Sequence, residues 1–283
     1  MILIWDMQLM NSYIPEIEKY TKIAKEVRRE ILNMIYRAKA PHIGSSFSIV
    51  EILVALYFKY LKISPNDPQN KNRDRFILSK GHGCPALYAV LARRGFMTSN
   101  ILKGFGCNGG TLEEHPTANL TRGIEVSTGS LGHGLSIGVG MAIAAKRDGA
   151  SYRIFVLMSD GETQSGFVWE AVAFAAHHKL DNLIVVIDYN KIQALGRIRE
   201  VIDLEPYSDK WRSFGWEVKE VNGHDFTQLL SVLKNVPFKQ GRPSAIIAHT
   251  VKGKGVSFME DKLLWHYRCP DEEEYLKAIK ELE

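Results

Sequence analysis

The chain has 283 residues, 45% hydrophobic and 24% charged, which is ordinary for a globular protein and long enough to bury a large core. Its net charge of +4 is a mild excess with no lysine or arginine run, so no nucleic-acid footprint is read, and a phosphate-binding enzyme suits it as well. The three cysteines, Cys84, Cys107 and Cys269, suggest neither a disulfide framework nor a zinc knuckle and fit free thiols in a reducing compartment.

The first ten residues are apolar but few, contain Asp6 and lack a basic leader, so no signal peptide is read there. No run approaches the roughly 20 apolar residues of a spanning helix, and no membrane association is expected. The cytoplasm is the expected location.

From about Pro15 to Ala40, Ile23, Val27, Ile31, Met34 and Ile35 recur at three or four, predicting a helix. A second helix is expected from about Ile49 to Tyr60, then a loop at Ser64–Pro68. Arg75–Leu78 reads as a short strand and Pro85–Arg94 as a helix. The stretch 100–128 has little periodicity and is expected to be irregular. A small-residue helix follows over Leu135–Lys146. Arg153–Met158 and Leu183–Asp188 are continuous apolar runs, as in strands buried on both faces. Phe167–His178 is helical between them. Trp216–Val221 and Ala245–Ala248 are two more strands, with a helix at Phe226–Lys234, and Asp271–Leu282 closes the chain as a helix with an acidic first turn. No linker divides the chain, so one domain is expected. Its fold class is α/β, with a mostly parallel central sheet covered by helices on both faces.

Ligands of such sheets bind beyond the carboxyl ends of the strands, which directs attention to the segments after Met158 and Asp188. Ser159-Asp160-Gly161-Glu162 follows one strand and Tyr189-Asn190-Lys191-Ile192 the other. Asp160 and Asn190 stand thirty residues apart, one strand-helix-strand unit, so they can meet at one point. A carboxylate and an amide oxygen are hard ligands for Mg²⁺ or Ca²⁺, and Gly161 clears space for a diphosphate. Read singly, Asp160 would be a helix cap and Asn190 a turn residue. The pair at this spacing favours a site.

Asp-Gly followed by Asn resembles the thiamine diphosphate motif, and the stretch Ser159–Ile192 looks like its transketolase version. That resemblance, from about Tyr20 to Leu282, implies a three-layer thiamine diphosphate-binding fold. It implies a metal, Mg²⁺ with Ca²⁺ or Mn²⁺ as substitutes, held by Asp160, Asn190 and the Ile192 carbonyl, with Gly161 against the diphosphate. Ser159 stands where the family usually has glycine.

Roughly six of the nine histidines would occur by composition alone, so context must select. Pro41-His42-Ile43-Gly44 resembles the family's His-Pro-Gly segment with Ile43 in place of proline. Leu78-Ser79-Lys80-Gly81-His82-Gly83 matches the family closely, and Glu114-His115-Pro116 and Trp265-His266 are similar to it. By resemblance His42, His82, His115 and His266 are catalytic and line the cofactor and the sugar hydroxyls. Imidazoles can donate or accept protons near neutrality as a carbon-carbon bond breaks. Lys80, Lys252 in Val251-Lys252-Gly253-Lys254-Gly255, and the turn Gly129-Ser130-Leu131 resemble further cofactor contacts, together with His82, Asn190 and His266. His133 replaces the family's glutamine. His177, His178, His224 and His249 lack motif support and are given no role.

The resemblance matches only the first half of a full-length transketolase. It implies a separate pyrimidine-binding C-terminal subunit that supplies the activating glutamate, an assembly with two copies of each, and a two-carbon ketol transfer between sugar phosphates. Ser165 replaces a glutamate that in the family lies between the two active sites, and would mark a specialised branch. Two other readings are an alpha subunit of a 2-oxoacid dehydrogenase or a deoxyxylulose-phosphate synthase-like enzyme, and a non-catalytic cofactor-binding subunit.

Overall fold

The structure is a computed structural model. It describes residues 2–118 and 122–283, with side chains from Ile14 onward. Met1, and 119–121 within the stretch read as irregular, lie outside the described residues. The chain runs α1 (Ile2–Ala38), α2 (Ile43–Phe47), α3 (Val50–Ala55), β1 (Arg75–Leu78), α4 (Cys84–Arg94), α5 (His133–Arg147), β2 (Ile154–Ser159), α6 (Gly166–His177) and β3 (Leu183–Tyr189). It continues through a small hairpin, β4 (Ile192–Gln193) and β5 (Gly196–Arg197), then α7 (Ile198–Val201), α8 (Tyr207–Ser213), β6 (Glu217–Asn222), α9 (Phe226–Lys234), β7 (Ser244–His249) and α10 (Glu272–Glu281).

The apolar runs form one parallel sheet in the order β1-β2-β3-β7-β6. Alternation along each strand divides the core into two layers. Phe155, Leu157, Ile184, Val186 and Ile246 pack against α1, α3, α4 and α9 on one face. Ile154, Val156, Met158, Val185 and Ile247 pack against α5, α6 and α8 on the other. Every residue of β2 and β3 is buried, which is why both read as unbroken hydrophobic runs. β6 lies at the edge, and its Lys219 and Glu220 are exposed, charges that blunt an open strand edge.

The structure differs from the sequence reading at three points. α1 begins at Ile2, and Pro15 sits inside the helix rather than opening it. The helix expected over 49–60 is α3 followed by a π-helical turn, Leu56–Tyr60. The run Ile43–Tyr60 is long and apolar enough to cross a membrane by composition, yet 83% of it is buried within this fold. The hairpin, α7 and α8 escaped notice because they are too short for hydrophobic periodicity to show.

α3 carries a buried charge into this packing. Glu51 receives two bonds from the Arg28 guanidinium, at 2.7 and 2.8 Å, and one from the His224 ring at 2.9 Å. Burial alone would push the Glu51 carboxyl up, but Arg28 and His224 hold it at about 2. Its ionised form is therefore preferred in the fold, and the stabilisation is complete above its ordinary value of 4.5 and lost as pH falls toward 2. Glu51→Gln has no such charge to lose. Its denaturation midpoint should fall less steeply than that of the wild-type chain across this window, as measured by chemical denaturation at stepped pH.

Candidate active site

β2 and β3 run in register, with Ser159 opposite Asp188, so Asp160 and Asn190 emerge together at the carboxyl edge of the sheet. They are 1% and 5% exposed. The Asp160 carboxylate accepts from Gly161 N at 2.8 Å and from Lys191 N at 2.6 Å, which spans both strand ends. The Asn190 side-chain oxygen accepts from Ile192 N at 3.0 Å, while its nitrogen donates to Asp188 at 2.9 Å, fixing the amide's orientation. Burial and the Asp188 carboxylate push Asp160 up to about 7. Hard oxygens with spare lone pairs, on a carboxylate crowded by a second one, fit a hard divalent cation. Asp160, Asn190 and Ile192 all line one cavity of about 240 Å³. Gly161 lines it too, and a Cβ there would lie 3.4 Å from Gln193.

Asp188 is fully buried beneath this cavity. It accepts from the Lys80 ammonium, from Thr250 Oγ1, from Ser48 Oγ at 2.8 Å and from Asn190. Burial opposes its charge, but Lys80 and the hydroxyl donors hold its carboxyl below the ordinary range. Lys80 lines the cavity but has its ammonium turned to Asp188 and to Ser45 O, at 3.0 Å from the latter. Lys252, 1% exposed, donates to Ile192 O at 3.1 Å and shares a 2.8 Å bond with His266 Nδ1. Burial, then Lys80, lowers the Lys252 amine to about 7.

The four imidazoles selected by context gather in the same cavity. The His42 ring centre lies 5.1 Å from His82, 5.4 Å from His266 and 6.4 Å from His115, and His82 stacks on His266 at 5.7 Å. Burial, with neighbouring cations and imidazoles, lowers His42 to about 4, His266 to about 3 and His82 well below its ordinary value. These three rings are neutral at physiological pH, each with one donor and one acceptor nitrogen. Because Nδ1 of His266 faces the Lys252 ammonium, its Nε2 is assigned the proton. His42 has left-handed backbone, φ 72° and ψ 21°, and its N–H donates to His266 O at 3.0 Å.

The Gly-rich turn enters from the side. Gly129 and Leu131 line the cavity, whereas Ser130 is exposed and lends its carbonyl to the His133 ring. Glu162 anchors the turn. It accepts from Gly132 N and Ser79 Oγ, both at 2.6 Å, and from Ser159 N at 2.7 Å. α5 can begin here because Gly134 passes Ser79 so closely that a Cβ would meet the serine's Cβ at 2.5 Å. His177 ends α6 and His178 follows it, both exposed, and His249 pairs with Glu220 at the sheet edge.

Sequence reasoning missed Ser45, Gln193, Ala194 and Tyr267, which also line the cavity. Each lies next to, or two or three residues from, a selected one, and that proximity was the available signal. It also missed Asp188 and Glu162, each of which has partners far away in sequence as well as near.

The chain matches the family described as "Transketolase, thiamine diphosphate binding domain" over residues 19–281. It is 42% identical to an apulose-4-phosphate transketolase subunit of Phocaeicola vulgatus, over 94% of this chain and 95% of that one. It is 44% identical to the 6-deoxy-6-sulfo-D-fructose transketolase subunit SqwG of a Clostridium species, over 92% and 94%. The crystal structure of transketolase from Campylobacter jejuni superposes with a TM-score of 0.89 at 31% identity, covering 94% of this chain and 43% of that one. The chain therefore belongs to the transketolase family, as its thiamine diphosphate binding domain. It spans nearly the whole of the subunit relatives and about two fifths of the solved enzymes.

Removing one partner of a buried ion pair leaves the other charge uncompensated. Lys80→Met should therefore lower stability by about 3 kcal/mol in chemical denaturation.

Proposed function

We propose that this chain is the diphosphate-binding subunit of a two-subunit transketolase that moves a two-carbon ketol unit from a ketose to an aldose. One observation carries the reading: Asp160, Asn190 and Ile192, just beyond adjacent strand ends, share a single cavity with four imidazoles. Asp160, Asn190 and the Ile192 carbonyl would hold Mg²⁺, with Ca²⁺ or Mn²⁺ as substitutes. Lys252 and His266, with Lys80, His82, Gly129, Ser130, Leu131 and Gly161, would contact or support the cofactor. When bound, thiamine diphosphate supplies a nucleophilic carbon and an electron sink. His42, His82, His115 and His266 would hold and move protons at the sugar's carbonyl and hydroxyl oxygens. His42, His82 and His266 are lowered by burial, and a neutral ring can hold sugar oxygens with one nitrogen donating and the other accepting.

A pyrimidine-binding partner, in a complex with two copies of each chain, accords with two facts. The relatives named above are subunits. Among the residues lining the cavity, Leu131 and Tyr267 are 41% and 62% exposed, and Leu195 and Leu264, one and two residues from lining positions, are 80% and 56% exposed. Large apolar side chains left in water at a site's rim suit a protein partner. The substrates would be sugars carrying a phosphate or similarly anionic end group, and the three unpaired thiols suit the cytoplasm.

The isolated chain should show no ketol transfer, and the partner, thiamine diphosphate and Mg²⁺ together should restore it. Chelation of the metal, or Asp160→Ala, should abolish both activity and cofactor retention. Robust transfer by the chain alone would remove the partner from the reading, and turnover of pyruvate would move the enzyme to the 2-oxoacid class.

A further inference from the structure

Lys252 is gripped on both sides by a charged cluster outside the cavity. On one side Val251 N donates to His224 Nε2 at 2.8 Å. On the other, Arg28 Nε donates to Lys254 O at 2.8 Å. Glu51 joins the two grips, accepting from Arg28 and from His224 Nδ1. The His224 tautomer follows: a ring whose Nε2 accepts from a backbone amide carries its proton on Nδ1. Arg28 also donates to Phe47 O at 3.2 Å, which ties the cluster to α2, the helix that His42 precedes. Gly255 has φ 100°, and a Cβ there would lie 2.8 Å from Arg28 Cδ, so the loop can come this close only without a side chain.

We propose that Arg28, Glu51 and His224 are positioning residues for the cofactor site. They hold the segment Val251–Gly255 so that the Lys252 ammonium reaches Ile192 O and the His266 ring before any ligand arrives. This rests on the reading that Lys252 supports the diphosphate. A lysine has four rotatable side-chain bonds, and a loop left free to move would have to order on binding, at the expense of affinity. His224, given no role from sequence, supplies the acceptor that fixes the residue just before Lys252. Arg28 fixes the carbonyl two residues after it.

Two substitutions separate positioning from general support of the core. Glutamine at 224 places an oxygen near the former Nε2 and keeps an acceptor for Val251 N. Asparagine reaches only the Nδ1 position and keeps the bond to Glu51 instead. Thiamine diphosphate affinity is measured with Mg²⁺ and the partner chain present, and amide exchange of 250–256 is measured alongside it. His224→Asn should weaken cofactor affinity about tenfold and speed exchange at Val251, whereas His224→Gln should stay within about twofold of wild type. Equal affinities in the two variants, at whatever stability, would overturn the proposal. So would a Val251 amide that exchanges at open-loop rates in the wild-type complex before cofactor is added, a measurement that stands even if the variants fold poorly. A wild-type complex that binds no thiamine diphosphate, while its Val251 amide is protected, would instead count against the cofactor reading.

Discussion

Asp188 lies fully buried at the end of β3, among an ammonium, two hydroxyls and an amide nitrogen. A carboxylate this deep is tolerated only if its partners surround it, because desolvation must be offset by close charge and hydrogen bonds. Those partners come from four parts of the chain. Lys80 follows β1, Ser48 follows α2, Thr250 follows β7, and Asn190 lies two residues further along. Satisfying one buried charge therefore fixes the segment that bears His82, the one that bears His42, the loop that bears Lys252, and a proposed metal ligand. The cavity inherits its shape from that requirement.

Glu162 does comparable work across the sheet edge, joining the ends of β1 and β2 to the Gly-rich turn. The Arg28–Glu51–His224 cluster acts on the opposite flank. All three carboxylates lie outside the set read as ligands, yet each determines where ligand-bearing backbone can go. The imidazoles sit within this frame at ring separations of 5.1 to 6.4 Å, too crowded for several to be charged together. Burial and crowding favour the neutral form of at least three of them, with one donor and one acceptor nitrogen each.

Much of this was legible in the sequence because its signals are local. β2 and β3 announced themselves as unbroken apolar runs, and the residues that end them pointed to Asp160 and Asn190. The histidines were separable by neighbours such as Lys80-Gly81 and Pro116. What stayed hidden depends on contacts between distant segments. Nothing near Glu51 says that it meets Arg28 and His224, and nothing near Asp188 says that Lys80 neutralises it. Lys80 itself read as a cofactor contact, and its ammonium is engaged by Asp188 and Ser45. Ser130 lies in a turn whose neighbours line the cavity while its own side chain faces solvent. Short elements such as the β4–β5 hairpin have too few residues to reveal a period.

The left-handed backbone of His42 gives the departure at Ile43 a meaning. A residue before proline is driven toward extended ψ, because the proline ring crowds its amide and Cβ. His42 instead has ψ 21°, which lets α2 start immediately afterwards, while its own N–H donates to His266 O. Isoleucine at 43 permits that path and proline opposes it. The two positions are therefore interlocked: a descendant of this chain that acquired proline at 43 would have to bring its histidine to the cavity along a different backbone route.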